Sequence, residues 1–342
     1  MNTINKITLV NTCFENNVNI TDVDCNNVEW YGNSMHSAFI NCSILQSVTN
    51  ISENVTNMSN TFYKCSKLVN APIIPNSVTN MSSTFCHCYN LVNAPVIPNS
   101  VTDMSSTFRS CINLVNAPVI PNSLTSMSHT FMSCSNLVNA PVIPNSVTNM
   151  CNTFTSCHRI INAPIIPNSV TDMHGTFMYC YSLVNAPVIP NSVTNISMTF
   201  YNCHNLVNAP EIPNSVTDMH GTFSSCPNLV NAPVIPNSVT SMGSTFYDCI
   251  NLVNAPIIPN SVTDMSYTFY DCHNLVGNIY IYSNQISYAG NCFYNTTLTK
   301  NVYIPFKYSN GVNTLTYNSF INAGYNEKGT SCGVYLKDLN SL

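Results

Sequence analysis

Apolar residues recur along most of the chain with a period of 23 residues. Cysteines stand at Cys42 and at every 23rd residue up to Cys272 without an insertion, which defines eleven copies of one unit. In each copy a Phe stands three residues before the cysteine, and a Leu stands three residues after it except at Ile160. A Met stands four residues before each Phe and is replaced once, by Ile196. A fixed period of this length predicts a solenoid in which each copy forms one coil.

A single copy, such as residues 101–123, is too short to bury its own apolar side chains, so stacked neighbours must supply the missing walls. Those side chains are Val101, Met104, Phe108, Cys111 and Leu114. The constant period places each residue above its copy in the next coil, at about the 4.8 Å spacing of adjacent strands. We therefore expect a rod about 50 Å long, with a column of stacked Phe rings and a column of buried Cys residues that act as small hydrophobes.

The local structure of the unit is less clearly specified. Residues 114–122 match the leucine-rich-repeat strand pattern Leu-x-x-Leu-x-Leu-x-x-Asn, with Ala in place of one Leu. Pro118 cannot donate to a strand ladder, so the strand must be short or irregular there. The alternative is a helix over residues 101–114, whose apolar spacing is helical but whose Thr, Ser and Asn residues disfavour it. We expect one or two helical or 3-10 turns around residues 104–111.

The string Ile-Pro-x-Ser-Val-Thr-x-Met, followed by Phe-x-x-Cys-x-x-Leu, resembles the BspA-like leucine-rich repeat family of bacterial and protozoan surface proteins and gut phage proteins. The resemblance covers about residues 35–275. The copies depart from the usual family unit by one residue between Met and Phe and by one between Leu and Pro. The resemblance implies a β-rich right-handed solenoid of short parallel strands with short helical or 3-10 turns, and it implies adhesion or recognition without catalysis.

The two ends of the chain differ from the array, as the caps of a solenoid do. We predict an N-terminal cap over residues 1–34, an eleven-unit solenoid over residues 35–276, and a degenerate repeat with a C-terminal cap over residues 277–342. Phe293 to Leu298, continued by Val302 to Pro305, is a decayed twelfth copy. Residues 302–339 resemble C-terminal segments that accompany such repeats in gut phage tail-associated proteins.

Composition and charge exclude several classes of protein. The chain is 45% hydrophobic and 7% charged, which is too apolar for a disordered protein. Nine Lys and Arg and a net charge of -5 argue against nucleic-acid binding. No apolar run approaches the length of a membrane span, and the opening residues lack the apolar core of a secretory signal. With an odd count of 17 cysteines, this pattern predicts reduced thiols in a cytoplasm.

Catalytic and metal-binding patterns are missing from the sequence. Paired carboxylates, a nucleophile elbow and a phosphate loop are absent, so we expect no enzyme and no cofactor. Cys86, His87 and Cys88 form the one tight cluster of metal-ligand residue types, but alternation points His87 away from both cysteines, which disfavours a tetrahedral site. Asp103 and its equivalents before Met are expected to accept hydrogen bonds in turns.

Variation between the copies is concentrated at six positions: the two residues after each Met, after each Phe and after each Cys, which we call the variable face. The rest of the unit hardly changes, and its Asn116 and Asn122 are candidates for amide ladders between coils. Repeat proteins present their variety on one extended face, and Tyr, Arg and His are typical of binding surfaces. Neutral drift on exposed turns is the alternative. The predicted ligand-binding residues are Tyr63, His87, Tyr89, Arg109, Arg159, Tyr179, Tyr181, Tyr201, His204, Tyr247 and Tyr270.

The sequence therefore predicts a non-enzymatic recognition or adhesion protein. We expect a phage tail or virion appendage that folds in the host cytoplasm and binds a host-surface protein, a glycan or another virion protein. A bacterial cell-surface adhesin is the first alternative, and a structural scaffold that forms oligomers through its caps is the second. Neither nucleic-acid binding nor membrane insertion is expected.

Overall fold

The computed structural model describes residues 7–296, 300–307, 309, 311–330 and 333–341. Residues 1–6 of the predicted N-terminal cap, residues 297–299 within the decayed copy, and residues 308, 310, 331, 332 and 342 of the C-terminal segment lie outside this description. The chain divides into two compact units, Met1–Val170 and Thr171–Leu342. The predicted domain boundaries are not tested by this division and stay predictions.

Regular secondary structure in the described residues is concentrated at the two ends of the chain. The first unit holds the strands β1 (Ile7–Leu9), β2 (Asp22–Asp24), β3 (Val28–Trp30) and β4 (Ser47–Thr49), and a 3-10 turn at Tyr31–Asn33. The second unit holds β5 (Gly277–Tyr280), β6 (Lys300–Ile304), the helix α1 (Leu315–Asn322), β7 (Val334–Asp338) and a 3-10 turn at Leu339–Ser341. Among the described residues, α1 is the only α-helix, and no helix is long and apolar enough to cross a membrane.

The strands pair in parallel between successive coils, as the sequence predicted. β1 pairs with β3, and β2 pairs with β4. In the second unit β6 lies between β5 and β7, and Gly277 pairs with Lys300, one 23-residue period later. The step from β6 to β7 is longer, because Lys300 pairs with Val334 and α1 is inserted in that coil.

In the repeated copies, pairing is reduced to isolated parallel bridges, which fall mainly at two positions of the coil. One bridge joins the residues before Met, such as Asn80 and Asp103, and the other joins the Asn residues of the Leu-Val-Asn string, such as Asn93 and Asn116. The predicted strand over residues 114–122 therefore stops at Asn116, since the two prolines that follow lack the N–H group that a ladder requires. Asn116 pairs through its backbone, and the amide ladder found in these coils instead joins Asn90 to Asn113, one position before Leu.

The prediction of helical or 3-10 turns around residues 104–111 was wrong. This segment is a series of hydrogen-bonded turns, in which Thr107 N donates to Met104 O and Cys111 N donates to Phe108 O. Ser106 and Ser110 have φ values of 56° and 61°, which no right-handed helix tolerates. The left-handed residues turn the intervening N–H groups outward, so Phe108 N donates to Thr130 O of the next coil at 2.9 Å.

The predicted Phe and Cys columns are confirmed within each unit. Neighbouring Phe rings lie 5.5 to 5.8 Å apart from Phe39 to Phe154, and 5.5 to 6.0 Å apart from Phe177 to Phe293. The rings are nearly parallel, and the side chains are fully buried. The cysteine thiols are also hydrogen-bond donors, since Cys111 Sγ donates to Phe85 O in the preceding coil at 3.1 Å.

A buried Thr column next to the Phe column was not anticipated from the sequence. A Thr precedes Phe in ten of the eleven copies and is fully buried in each. Thr107 Oγ1 donates to Met104 O in its own coil and to Met81 O in the preceding coil, both at 2.8 Å. Each coil therefore contributes hydroxyl and thiol donors that satisfy backbone carbonyls inside the core, where an unsatisfied carbonyl would be costly.

Aromatic side chains cover both ends of the Phe columns. Phe14 stacks on Phe39 with the ring centroids 5.1 Å apart, and Trp30 meets the same ring edge-on. At the other end, Phe320 of α1 and Tyr325 pack against Phe293, with centroids 6.3 and 5.8 Å from it. These contacts keep water from the terminal coils, which is the task of a solenoid cap.

Replacing Phe223 with Ala tests the stacked core. Its ring is fully buried between Phe200 and Phe246, at 5.7 and 5.8 Å, so we expect Phe223→Ala to lower the free energy of unfolding by about 3 to 5 kcal/mol through a cavity. Urea denaturation of the full chain measures the loss. Phe223→Leu keeps most of the volume and should cost less. An Ala variant as stable as the parent protein would show that the column is not packed as described.

The cysteines should differ sharply in reactivity in the folded protein. Burial raises the pKa of Cys25 and Cys86 to about 11 and that of Cys226 to about 12. A raised pKa leaves less of the nucleophilic thiolate at pH 8. Of the sixteen described cysteines, we expect only the half-exposed Cys13 and Cys151 to react readily with iodoacetamide before denaturant is added. Peptide mass spectrometry measures this, and equal labelling of the repeat cysteines would contradict a buried column.

Candidate ligand-binding face

The residues predicted to bind ligand all lie outside the buried core. Within each copy, most of the residues that directly follow Phe and Cys are at least partly exposed, whereas Cys86, Thr155 and Ser224 are buried. Tyr89, Arg109, Arg159 and His204 are exposed, whereas Tyr63, His87, Tyr179, Tyr181, Tyr201, Tyr247 and Tyr270 are half-buried. These eleven positions are therefore open to a ligand, and partial burial holds most of their aromatic rings in place.

The turn between Phe and Cys presents these side chains. Its second residue has a positive φ, for example 61° at Lys64, 62° at His87 and 60° at Tyr179. This conformation lets the chain turn within three residues, so the residues before and after the turn project from the same edge of the coil. Because non-glycine residues pay for this conformation, the stacked coils must hold it in place.

Five side chains from three successive copies form the first group, which we call the Tyr63 cluster: Tyr63, Lys64, His87, Tyr89 and Arg109. The His87 ring lies between Tyr63 and Tyr89, with centroids 5.5 and 5.7 Å away and both tyrosines edge-on. Tyr89 Oη and His87 Nδ1 are 3.2 Å apart, and Lys64 Nζ lies 5.3 Å from the centre of the Tyr63 ring. Burial, Arg109 and Lys64 together lower the pKa of His87.

The Tyr179 cluster consists of Tyr179, Tyr181, Tyr201 and His204 in the second unit. Tyr179 meets Tyr181 and Tyr201 edge-on, at centroid distances of 6.3 and 5.3 Å, and the Tyr181 ring stacks on His204 at 4.8 Å. Burial and the neighbouring Tyr179 raise the pKa of Tyr201, so its hydroxyl stays protonated and can donate a hydrogen bond. The cluster therefore offers aromatic faces together with polar groups.

The Tyr247 cluster consists of Tyr247, Tyr267, Tyr270 and Tyr294 in the second unit, and three of its rings form a stack. Tyr270 lies between Tyr247 and Tyr294, with centroids 4.7 and 4.8 Å away, and Tyr267 is tilted against it at 5.9 Å. The sequence prediction missed Tyr267 and Tyr294. Tyr294 follows Phe293 as Tyr270 follows Phe269, but one extra residue in the degenerate copy hides this equivalence.

Charge is divided unevenly between residues 54–170 and residues 171–296. Residues 54–170 contain four cations and one carboxylate, a net charge of +3: Lys64, Lys67, Arg109 and Arg159 against Asp103. Residues 171–296 contain six carboxylates and no Lys or Arg: Asp172, Glu211, Asp218, Asp248, Asp264 and Asp271. The net charge of the whole chain, on which the sequence prediction relied, conceals this asymmetry.

Several charged residues have other positions or roles. Arg159 is exposed on the variable face of the first unit but lies outside the three clusters. Asp103 Oδ1 accepts a hydrogen bond from Ser105 N at 2.9 Å, which confirms the expected turn role of the carboxylates before Met. Burial and the nearby Asp271 raise the pKa of Asp248, beside the Tyr247 cluster.

Within the described residues, no three His, Cys, Asp or Glu side chains are grouped to hold a metal ion.

A second exposed surface, which the sequence prediction did not identify, consists of the residue x that follows the first proline of Ala-Pro-x-Ile-Pro. In seven copies this residue is a Val or Ile with 86 to 90% of its surface exposed: Ile73, Val96, Val119, Val142 and Ile165 in the first unit, and Val188 and Val234 in the second. A groove of about 500 Å³ lies between Val142 and Ile165. The sequence signal for this exposed surface was the Ile that follows, which is buried, because adjacent residues of an extended chain point to opposite sides.

Comparison with known families gives one clear result. A model described as "BspA type Leucine rich repeat region" matches six times, over residues 2–115, 82–207 and 197–326. No curated protein matches the chain significantly.

Solved structures agree in fold with this match. A leucine-rich repeat protein from Bacteroides ovatus is 20% identical, with a TM-score of 0.55 over 80% of this chain and 82% of that chain. A leucine-rich repeat protein from Eubacterium ventriosum is 21% identical, with a TM-score of 0.54 over 86% of this chain and 81% of that chain. Together with the family match, which spans nearly the whole sequence, these likenesses confirm the predicted resemblance: the chain belongs to the BspA-type leucine-rich repeat family.

Proposed function

We propose that this protein is a non-enzymatic recognition protein that binds a protein or glycan of a cell surface through its variable face. One observation carries the proposal. Variation between copies falls mostly at positions that the fold leaves at least partly accessible, and the aromatic side chains at those positions meet in three clusters, each built by neighbouring coils. Neutral drift would leave a mixture of polar residues there and has no reason to bring the rings together.

The physical state of these rings suits binding. Each Tyr in a cluster is braced by another ring, as Tyr270 is between Tyr247 and Tyr294. A braced side chain loses little conformational entropy when a ligand covers it, so more of the contact energy appears as affinity. The backbone that carries the rings is held by hydrogen bonds to the next coil, such as Tyr179 N to Tyr201 O at 2.8 Å.

The chemistry of the side chains supports binding over catalysis. The carboxylates before Met are engaged by backbone N–H groups, as Asp218 is by His220 N at 2.9 Å. Burial raises the pKa of the thiols in the core well above neutral pH, which makes them poor nucleophiles. We therefore propose that no reaction is catalysed and no cofactor is used.

A surface adhesin is the form of this function that family membership supports best. The phage tail or virion appendage predicted from residues 302–339 stays a prediction. In the structure this segment begins by continuing the solenoid, since β6 pairs with β5 one period earlier, and the family match extends to residue 326. Oligomer formation through the caps also stays a prediction.

Three tyrosines of the Tyr179 cluster provide the test. Other copies carry Ser at the equivalent positions, namely Ser156, Ser135 and Ser224. We therefore expect the triple variant Tyr179→Ser, Tyr181→Ser and Tyr201→Ser to fold, with each change costing less than about 1 kcal/mol. Binding to intact cells or to a glycan array should fall at least about tenfold, because buried aromatic contacts dominate binding energy.

The control carries Asn191→Ser and Asn214→Ser, two exposed changes in turns away from the variable face. It should bind as the parent protein does. Unchanged binding by the triple variant would exclude the Tyr179 cluster, and a purified parent protein that binds no cell type and no glycan would end the proposal.

A further inference from the structure

The Tyr63 cluster combines aromatic rings with positive charge in a way that neither of the other clusters does. Lys64, His87 and Arg109 come from three successive copies, which the backbone holds in register. Lys64 N donates to Cys86 O and His87 N donates to Arg109 O, both at 2.8 Å. Lys64 and Arg109 act on the same small region, since both oppose the burial effect on the pKa of Cys86, which lies between their coils.

We propose that the Tyr63 cluster binds the carboxylate of an acidic saccharide. Lys64 and Arg109 hold the carboxylate, and the rings of Tyr63 and Tyr89 contact the sugar. This inference rests on the proposed function, because it names the ligand class for one part of the variable face.

The first support is that the described part of the chain offers no carboxylate as an ion-pair partner to Lys64 or Arg109. Between residues 54 and 170 the one carboxylate is Asp103. Its Oδ1 already accepts hydrogen bonds from Ser105 N and Ser105 Oγ, at 2.9 and 2.6 Å. Lys64 lies over the Tyr63 ring and not beside an acid. Two permanent cations on a shared surface repel each other, and a bound anion would remove that repulsion.

The second support is the protonation state of His87. Burial lowers the pKa of His87 most, and Arg109 and Lys64 lower it further. The imidazole is therefore mainly neutral at neutral pH. A neutral ring can pair with the Tyr89 hydroxyl 3.2 Å away, which fixes the position of Tyr89. The charge that an anion meets therefore comes from Lys64 and Arg109, and the rings between them form a polar but uncharged floor.

The size of the cluster favours a sugar over other anionic ligands. Stacked rings in these coils are 5.5 to 5.7 Å apart, so three copies cover roughly 11 Å. That length accommodates one or two sugar rings with a carboxylate. A nucleic acid gains affinity from many phosphate contacts along a track of cations, and the Tyr63 cluster offers two. An acidic peptide presents several carboxylates without flat rings to cover Tyr63 and Tyr89.

The experiment measures binding of tri-galacturonic acid to the full chain by isothermal titration calorimetry. The neutral trisaccharide of galactose is the matched ligand, since it has a hydroxymethyl group in place of each carboxylate, and hexaglutamate represents an acidic peptide. We expect tri-galacturonic acid to bind and the two comparison ligands to bind at least about tenfold more weakly. Binding should weaken as sodium chloride is raised, because salt screens exposed charges.

Variants assign the binding to the cluster. Lys64→Gln and Arg109→Gln should each weaken binding about tenfold, as expected for loss of a charge-assisted hydrogen bond. Arg109→Lys keeps the charge and should retain part of the affinity. Lys67→Gln removes a cation outside the cluster and is the matched control. The variants Lys64→Gln and Lys67→Gln should have the same melting temperature as the parent protein, since both side chains are exposed.

Two results would overturn the inference. One is equal binding of the acidic and neutral trisaccharides, or tighter binding of hexaglutamate. The other is failure of galacturonate, glucuronate and sialic acid oligosaccharides alike to bind. If the Tyr179 variants still alter binding to cells or neutral glycans in that case, the proposed function stands and only the ligand class of the Tyr63 cluster is wrong.

Discussion

The structure depends on the hydrogen bonds between successive coils, which require the Met-to-Cys segment of every copy to have the same length. In the Met-to-Cys segment, N–H groups donate alternately within the coil and to the next coil, as Thr107 and Phe108 do. An inserted residue would shift this alternation and expose the carbonyls that the buried Thr and Cys side chains satisfy. The strict 23-residue period is therefore a consequence of backbone pairing as much as of hydrophobic packing. Where the period is broken, in the coil that ends at β7, an α-helix takes up the additional residues.

Constant backbone geometry leaves side-chain chemistry to differ along the array. The same turn carries Lys64, His87 or Tyr179 at a left-handed residue, so the coil accepts charged and aromatic residues there alike. This tolerance separates the requirements of folding from those of binding, since the core columns stay fixed while the accessible positions change. The resulting clusters differ in charge: Lys64 and Arg109 border the Tyr63 rings, whereas Asp248 and Asp271 border the Tyr247 rings. One architecture can thus present several distinct sites.

Much of this arrangement could be predicted from the sequence, because period and burial follow from the spacing of Phe, Cys and Leu. The turns could not, since Ser106 and Ser110 have positive φ although neither is Gly or Asn, the residues that signal this conformation. Thr107 was overlooked because a buried hydroxyl is expected to be rare, and only the coil-to-coil geometry supplies its two carbonyl partners. For the candidate site, comparison of equivalent positions in the copies identified most residues of each cluster. Lys64 occupies a variable position but was not among the predicted ligand-binding residues, and net charge calculated for the whole chain hid the cationic character of residues 54–170.

The exposed Val and Ile column shows how constancy between copies can mislead. Val119 is shared in type by most copies, yet it is 88% exposed and contributes little to its own coil. Burying a side chain of this size stabilises a protein by about 1.5 kcal/mol or more. Because Val119 is not buried within its own coil, the coil does not gain this stabilisation. A row of such side chains at regular spacing is the kind of apolar surface that marks an interaction site. Constancy in a repeat therefore reports that each copy meets the same surroundings, and those surroundings include the outside of the protein as well as its core.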